Sequence, residues 1–121
     1  MKSYKELEVW QRAIELVTDI YAVSRRFPPV ERYGLAAQMQ RAATSVPANI
    51  AEGWGRGSRK ECLQFLKIAR GSLMELETHI VVAERLDYIS NPDVQRIVKN
   101  LESVGMMLNK LISRLNQPRT P

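Results

Sequence analysis

Residues 59–86 read RKECLQFLKIARGSLMELETHIVVAERL, and the spacing of the apolar positions in this stretch decides the fold. Cys62, Leu66, Ala69, Leu73, Leu76, Ile80 and Ala83 recur at steps of four and three, the period of one face of an α-helix. Phe65, Ile68, Ser72, His79 and Leu86 run beside that stripe and widen the apolar sector beyond a coiled-coil seam. On the far side Leu63, Met74 and Val81 sit among Lys60, Lys67, Arg70 and Arg85. A helix that is apolar on more than one side needs more than one neighbour. Ser58 and Glu61 supply an S-x-x-E capping box at its start, so the helix is expected over 58–87.

Working outward, three more helical patterns appear. Toward the N-terminus, Gly53-Trp54-Gly55-Arg56-Gly57 breaks the chain, and before it Leu35, Met39, Ala42, Ala43, Val46, Ile50 and Trp54 mark a helix near 31–53. Pro47 inside that helix removes a backbone hydrogen bond, costs about 3 kcal/mol in an ordinary interior, and is expected to kink it. Phe27-Pro28-Pro29 ends a first helix near 4–27, because the residue before a proline is driven out of helical geometry. Ser3 and Glu6 have capping-box spacing for its start, and Leu7, Trp10, Ile14, Val17, Tyr21 and Ser24 form its expected apolar face, flanked by Ala13, Ile20 and Phe27. Beyond the third helix, Ser90-Asn91-Pro92 opens a fourth near 91–116, with Val94, Ile97, Leu101, Val104, Leu108, Leu111 and Leu115 on one face. Residues 117–121 are expected to form a frayed tail. No strand pattern, repeat or internal boundary appears. The fold class is all-α, a single domain over 1–121 folded as an antiparallel up-down-up-down four-helix bundle. Closing the hairpin between helices two and three about 54–57 is expected to bring Arg41 level with Gly71–Glu75, and Asn49 level with Cys62–Phe65.

Charge and cysteine usage bound the function. The 121 residues carry a net charge of +5 at pH 7, and the single Cys62 forms no internal disulfide and suits a reducing cytoplasm. The opening residues are charged rather than apolar, and no apolar run approaches the roughly 20 residues of a membrane span. From Arg25 to Met74 nine basic residues (Arg25, Arg26, Arg32, Arg41, Arg56, Arg59, Lys60, Lys67 and Arg70) face three acids (Glu31, Glu52 and Glu61). Such a local excess permits a nucleic-acid partner.

No catalytic constellation is visible. His79 is the sole histidine, on the margin of an apolar face, and Cys62 lies on the core stripe, so both read as packing residues. Glu75 and Glu77, two apart on one helix, point about 200° away from each other. No cluster of His, Cys or carboxylates has metal-ligand spacing, and no cofactor is implied. The glycine-rich turn has neither the Walker lysine nor a preceding strand, although its N–H groups, Arg56, Arg59 and the helix start converge enough to hold a phosphate. The candidate nucleic-acid contacts are Arg56, Arg59, Lys60, Lys67 and Arg70, against the bland alternative of a solvated helix face. A second stripe, Gln38, Arg41, Ser45, Asn49 and Glu52, follows helical steps on helix two. It is either another solvated face or a polar seam against helix three or a second subunit, with Arg41 paired to Glu75.

The run Arg41-Ala42-Ala43-Thr44-Ser45-Val46-Pro47-Ala48-Asn49-Ile50-Ala51-Glu52-Gly53 carries a resemblance. So do Leu7-Glu8-Val9-Trp10, Tyr33-Gly34-Leu35 and Gly71-Ser72-Leu73-Met74-Glu75-Leu76-Glu77. In that order they resemble the bacterial four-helix bundle family first noticed as reading frames in intervening sequences of 23S ribosomal RNA genes, over roughly residues 4–90. The resemblance implies a ring-shaped homopentamer. Distant relatives, the accessory variability proteins of diversity-generating retroelements, are basic pentameric bundles that bind a reverse transcriptase and nucleic acid. The family therefore implies self-association and makes RNA, DNA or a nucleic-acid-processing protein a conceivable partner, but it supplies no site. The expectation is a non-enzymatic, cytoplasmic, homo-oligomeric binding protein. A protein–protein adaptor is the alternative.

Overall fold

The computed structural model describes residues 3–118, and within them the chain forms α1 (Glu8–Ser24), α2 (Leu35–Trp54), α3 (Arg59–Arg85) and α4 (Asn91–Asn116). The expected tail at 117–121 lies partly outside the described residues. Each helix packs on its neighbour in the chain, and α4 closes against α1, which is the up-down-up-down bundle. The α2–α3 pair is the most intimate. Buried aliphatic side chains fill the centre, among them Leu16, Ile20, Met39, Ile50, Leu76, Ile80, Ile97 and Leu108.

The helix ends follow local chemistry. Ser58 caps α3 by accepting the Glu61 N–H at 3.1 Å, and Ser90 does the same for the Asp93 N–H at the start of α4. Ser3 and Glu6 behave otherwise than expected. The Ser3 hydroxyl accepts the Lys5 N–H and opens a separate 3-10 turn, Tyr4–Glu6, so α1 begins only at Glu8. A second 3-10 turn, Pro29–Glu31, follows the two prolines, and α2 starts at Leu35, whose N–H donates to Glu31 Oε1. At the far end of α3, Asp87 adopts φ 62°, and the Tyr88 N–H reaches back to the Ala83 carbonyl. That is a Schellman ending with an aspartate where glycine is usual. The helix α2 runs through Pro47 without a break.

Two expectations are corrected here. The core face of α1 is Val9, Ala13, Leu16, Ile20 and Val23, whereas Leu7, Trp10, Ile14, Val17 and Tyr21 are only half-buried. The two stripes have the same period and lie side by side, and a bundle helix that touches two neighbours buries the one pointing at the axis. The aromatic weight of Trp10 and Tyr21 favours the rim stripe when the helix is read alone. The α2–α3 register is also displaced by about a turn. Gly53, rather than Asn49, lies level with Cys62–Phe65.

Candidate nucleic-acid interface

Three of the five candidate cations are held within the chain. The Arg59 fork donates to the last carbonyls of α4: Nε to Leu115 O at 2.8 Å, and Nη2 to Arg114 O at 3.0 Å and Gln117 O at 2.8 Å. The Arg114 carbonyl also accepts the Gln117 N–H at 3.3 Å, and together the three form the negative end of the α4 dipole, so a guanidinium suits them. Arg56 lies over the Phe65 ring at 4.8 Å and pairs with Glu52 at 3.3 Å and Glu61 at 4.0 Å. Arg70 donates to Asn109 Oδ1 at 3.2 Å, across to α4. Lys60 and Lys67 are exposed and have no partner among the described residues.

Arg59 and Arg70 also fix the antiparallel register of α3 on α4. Lys60 and Lys67 thereby lie level with residues 109–117, which contribute the exposed Lys110 and Arg114. These two cations escape a reading of the sequence, because only the closed bundle brings the end of α4 beside the start of α3. The glycine-rich turn does not make a phosphate cradle. Gly53 is still helical, Gly55 is the α-helical C-cap, and Arg59 turns away to α4.

The polar stripe of α2 divides into two parts. Ser45 Oγ lies 2.8 Å from Ser72 Oγ on α3, and Asn49 Nδ2 donates to Ser45 Oγ at 2.9 Å and to the Ser45 carbonyl at 2.8 Å. This is a short polar seam between two helices. Ser72 falls within the apolar sector of the sequence pattern, where nothing marks it as a partner. Gln38 and Arg41 are exposed, and Glu52 pairs with Arg56. Glu75 does not pair with Arg41 within the chain; its Oε2 lies 3.2 Å from His79 Nε2, one turn along the same helix.

An apolar groove of about 540 Å³ runs between α3 and α4, floored by Leu73 and Leu101 and edged by Met74, Met106, Glu77 and Glu102. Met74 and Met106 are 60% and 64% exposed. Partial burial pushes the Cys62 thiol up from its ordinary value. Cys62 and His79 are separated by about 25 Å along α3, at 1.5 Å per residue, so they cannot act as a pair. Among the described residues no group of three His, Cys, Asp or Glu could hold a metal ion, and no helix is long and apolar enough to cross a membrane.

The 23S rRNA-intervening sequence protein family matches residues 5–110. The chain belongs to that family. Family membership agrees with the motifs around Arg41–Gly53 and with the bundle. A crystal structure of a protein of unknown function of the S23 ribosomal protein family, from Bacteroides thetaiotaomicron VPI-5482, superposes with a TM-score of 0.81. The two are 23% identical over 87% of this chain and 95% of the other, a likeness of fold. No curated protein matches.

Proposed function

We propose that this intervening-sequence family protein is a non-enzymatic, homo-oligomeric binding protein that contacts the backbone of RNA or DNA through one end of the bundle. The observation that carries the reading is the sorting of its cations. Arg56, Arg59 and Arg70 are consumed by internal contacts, while Lys60, Lys67, Lys110 and Arg114 remain exposed at the α3-start and α4-end pole. Lysines on flexible stems suit phosphates without fixed geometry, and Trp54, 43% exposed at the end of α2, is the one large exposed aromatic at this pole among the described residues, so the binding has little sequence preference. The Met74–Met106 groove supports self-association, since large exposed apolar residues beside a floor of leucines mark an interaction surface. The number five for the ring comes from the family resemblance. A ring would repeat the lysine pole in every subunit and sum weak contacts. The lone, partly buried thiol Cys62 supports a reducing cytoplasm as the setting.

The test is the salt dependence of binding to RNA, single-stranded DNA and duplex DNA. Replacing Lys60, Lys67 and Lys110 with glutamine should weaken binding to all three and flatten the log–log salt slope by roughly 0.7–0.9 per lost contact. The same slope in parent and variant would remove the reading. The adaptor alternative, favoured by the same groove, predicts salt-insensitive association lost in Met74→Asp/Met106→Asp.

A further inference from the structure

At the opposite pole, the turn between α1 and α2 encloses a hollow of about 300 Å³ that the nucleic-acid reading does not use. Ser24 and Gln40 lie at its base, Phe27 and Pro28 wall it, and Arg25 and Arg32 line it. Ser24 is 3% exposed, the one buried polar side chain among the described residues. Its hydroxyl donates to the Tyr21 carbonyl at 3.4 Å and accepts from Gln40 Nε2 at 2.9 Å. Gln40 therefore keeps a second N–H and its carbonyl oxygen for another partner.

Among the described residues no carboxylate pairs with the two arginines that line this hollow. Arg26, between the other two, is taken by Asp93 at 3.0 Å. Glu31, the acid nearest in sequence, is committed elsewhere: Oε1 accepts the Leu35 N–H at 3.1 Å, and Oε2 accepts the Tyr88 hydroxyl at 3.0 Å. Arg25 and Arg32 have no side-chain partner among the described residues, and no carboxylate lines the hollow. Two guanidinium groups beside a buried hydroxyl and an amide N–H are a donor set without an acceptor. We propose that the hollow binds a phosphate monoester, carried either by a free nucleoside monophosphate or by the 5′ end of a polynucleotide. A monoester dianion balances two guanidinium charges, whereas a backbone diester brings only one. Guanidinium forks match phosphate oxygens in pairs, and the Phe27–Pro28 wall limits competition from water. The volume is at the small end of ligand pockets, about 300–1,000 Å³, which suits a phosphate and a sugar.

The site shares no residue with the lysine pole, so the two readings stand or fall separately. The experiment follows the Gln40 side-chain amide and Ala36 backbone signals by NMR. The protein is titrated with inorganic phosphate, with adenosine 5′-monophosphate, and with one oligoribonucleotide bearing either a 5′-phosphate or a 5′-hydroxyl. Saturable shifts with phosphate and the monophosphate are expected, and binding of the monophosphate should weaken several-fold from pH 7 to pH 5 as its dianion, with a second pKa of about 6, is protonated. For phosphate and the monophosphate, Arg25→Gln/Arg32→Gln should lose roughly tenfold or more in affinity, and Lys60→Gln/Lys67→Gln should lose none. In the Lys60→Gln/Lys67→Gln background, where the backbone contact is weakened, tighter binding of the 5′-phosphorylated oligonucleotide than of both its 5′-hydroxyl twin and the monophosphate identifies a polynucleotide end as the source; affinity no greater than the monophosphate's identifies a free nucleotide. Absence of a saturable shift with any phosphate probe overturns the proposal, as does unchanged affinity in the arginine double variant. Should that variant lose its helical circular dichroism, Arg32→Gln alone, at an exposed position, carries the same test.

Discussion

Gly53 and Gly71 offer the same chemical change with opposite expected signs. A Cβ on Gly53 would lie 3.1 Å from Phe65 Cβ, 3.2 Å from the Cys62 carbonyl oxygen and 3.6 Å from Cys62 Cα. Ordinary contacts of this kind begin near 3.5 Å, and none of these three atoms is the free end of a side chain. Gly53→Ala must therefore push α2 and α3 apart by a few tenths of an ångström. Overpacking of this sort costs about 1–3 kcal/mol, offset by about 0.5–1 kcal/mol from replacing a helical glycine. The net is a destabilisation of about 1 kcal/mol. Gly71 lies mid-helix on α3, and a Cβ added there would meet no atom within 4 Å, so Gly71→Ala should keep the whole backbone gain, about 0.5–1 kcal/mol. Thermal and urea unfolding by circular dichroism at one protein concentration would show the two variants on opposite sides of the parent, separated by roughly 5–10 °C in Tm. A Gly53→Ala protein as stable as Gly71→Ala would mean the close approach of α2 and α3 at this point is wrong, and with it the α2–α3 register.

The remaining expectations concern single side chains. Arg59→Gln removes three charge-assisted hydrogen bonds from the end of α4 and should cost about 1–2 kcal/mol by urea unfolding, with nucleic-acid affinity at matched folded concentration nearly unchanged. Asp87→Gly relieves a left-handed backbone and should stabilise by about 1 kcal/mol, read as a raised Tm. Asp93 is held below the ordinary carboxylate range by its hydrogen bonds from Arg96, at 2.6 Å, and from Arg26. A carboxyl depressed on folding stabilises above its unfolded pKa, about 3.9, and loses that contribution as pH falls through the folded value. Asp93→Asn should accordingly be less stable than the parent at neutral pH, with the gap closing as acid protonates Asp93. A constant gap across the acid range would show that the ion pairs contribute nothing.

How far the sequence is legible depends on how distant each partner is. Helix breaks signalled by Phe27-Pro28-Pro29, by Gly53–Gly57 and by Ser90-Asn91-Pro92 are local, and each connection falls in or beside those residues, although Gly53 and Trp54 still belong to α2. The choice between the Val9–Leu16–Val23 stripe and the Trp10–Ile14–Tyr21 stripe is not local, since it depends on which side of α1 meets the bundle axis. The same holds for the site. Ser45 and Asn49 are visible as a helical pair four apart, yet the Ser72 hydroxyl that makes them a seam comes from another helix. Arg59 reads as free charge because its partners, the carbonyls of Arg114, Leu115 and Gln117, are 55 to 58 residues away and carry no side-chain signal.

The resulting map of charge differs from the composition in a way that bears on function. Of the nine basic residues between Arg25 and Met74, Arg26, Arg56, Arg59 and Arg70 are tied to side chains or carbonyls of the same chain. What remains beside Arg41 is Arg25 with Arg32 before α2 and Lys60 with Lys67 after it. The 20 residues of α2 span about 30 Å between Arg32 and Lys60, and Lys67, two turns back along α3, is still about 20 Å from the first pair, so one small anion cannot touch both. Positions so far apart, with no shared partner, should act additively in a combined variant. If a long single strand nevertheless loses more affinity in Arg25→Gln/Arg32→Gln/Lys60→Gln/Lys67→Gln than the two double variants predict, it is engaging both poles at once. A 5′-phosphate seated at the α1–α2 turn and a backbone drawn along the lysine pole would then be two contacts of one ligand, and shortening the strand until it no longer spans α2 should restore additivity.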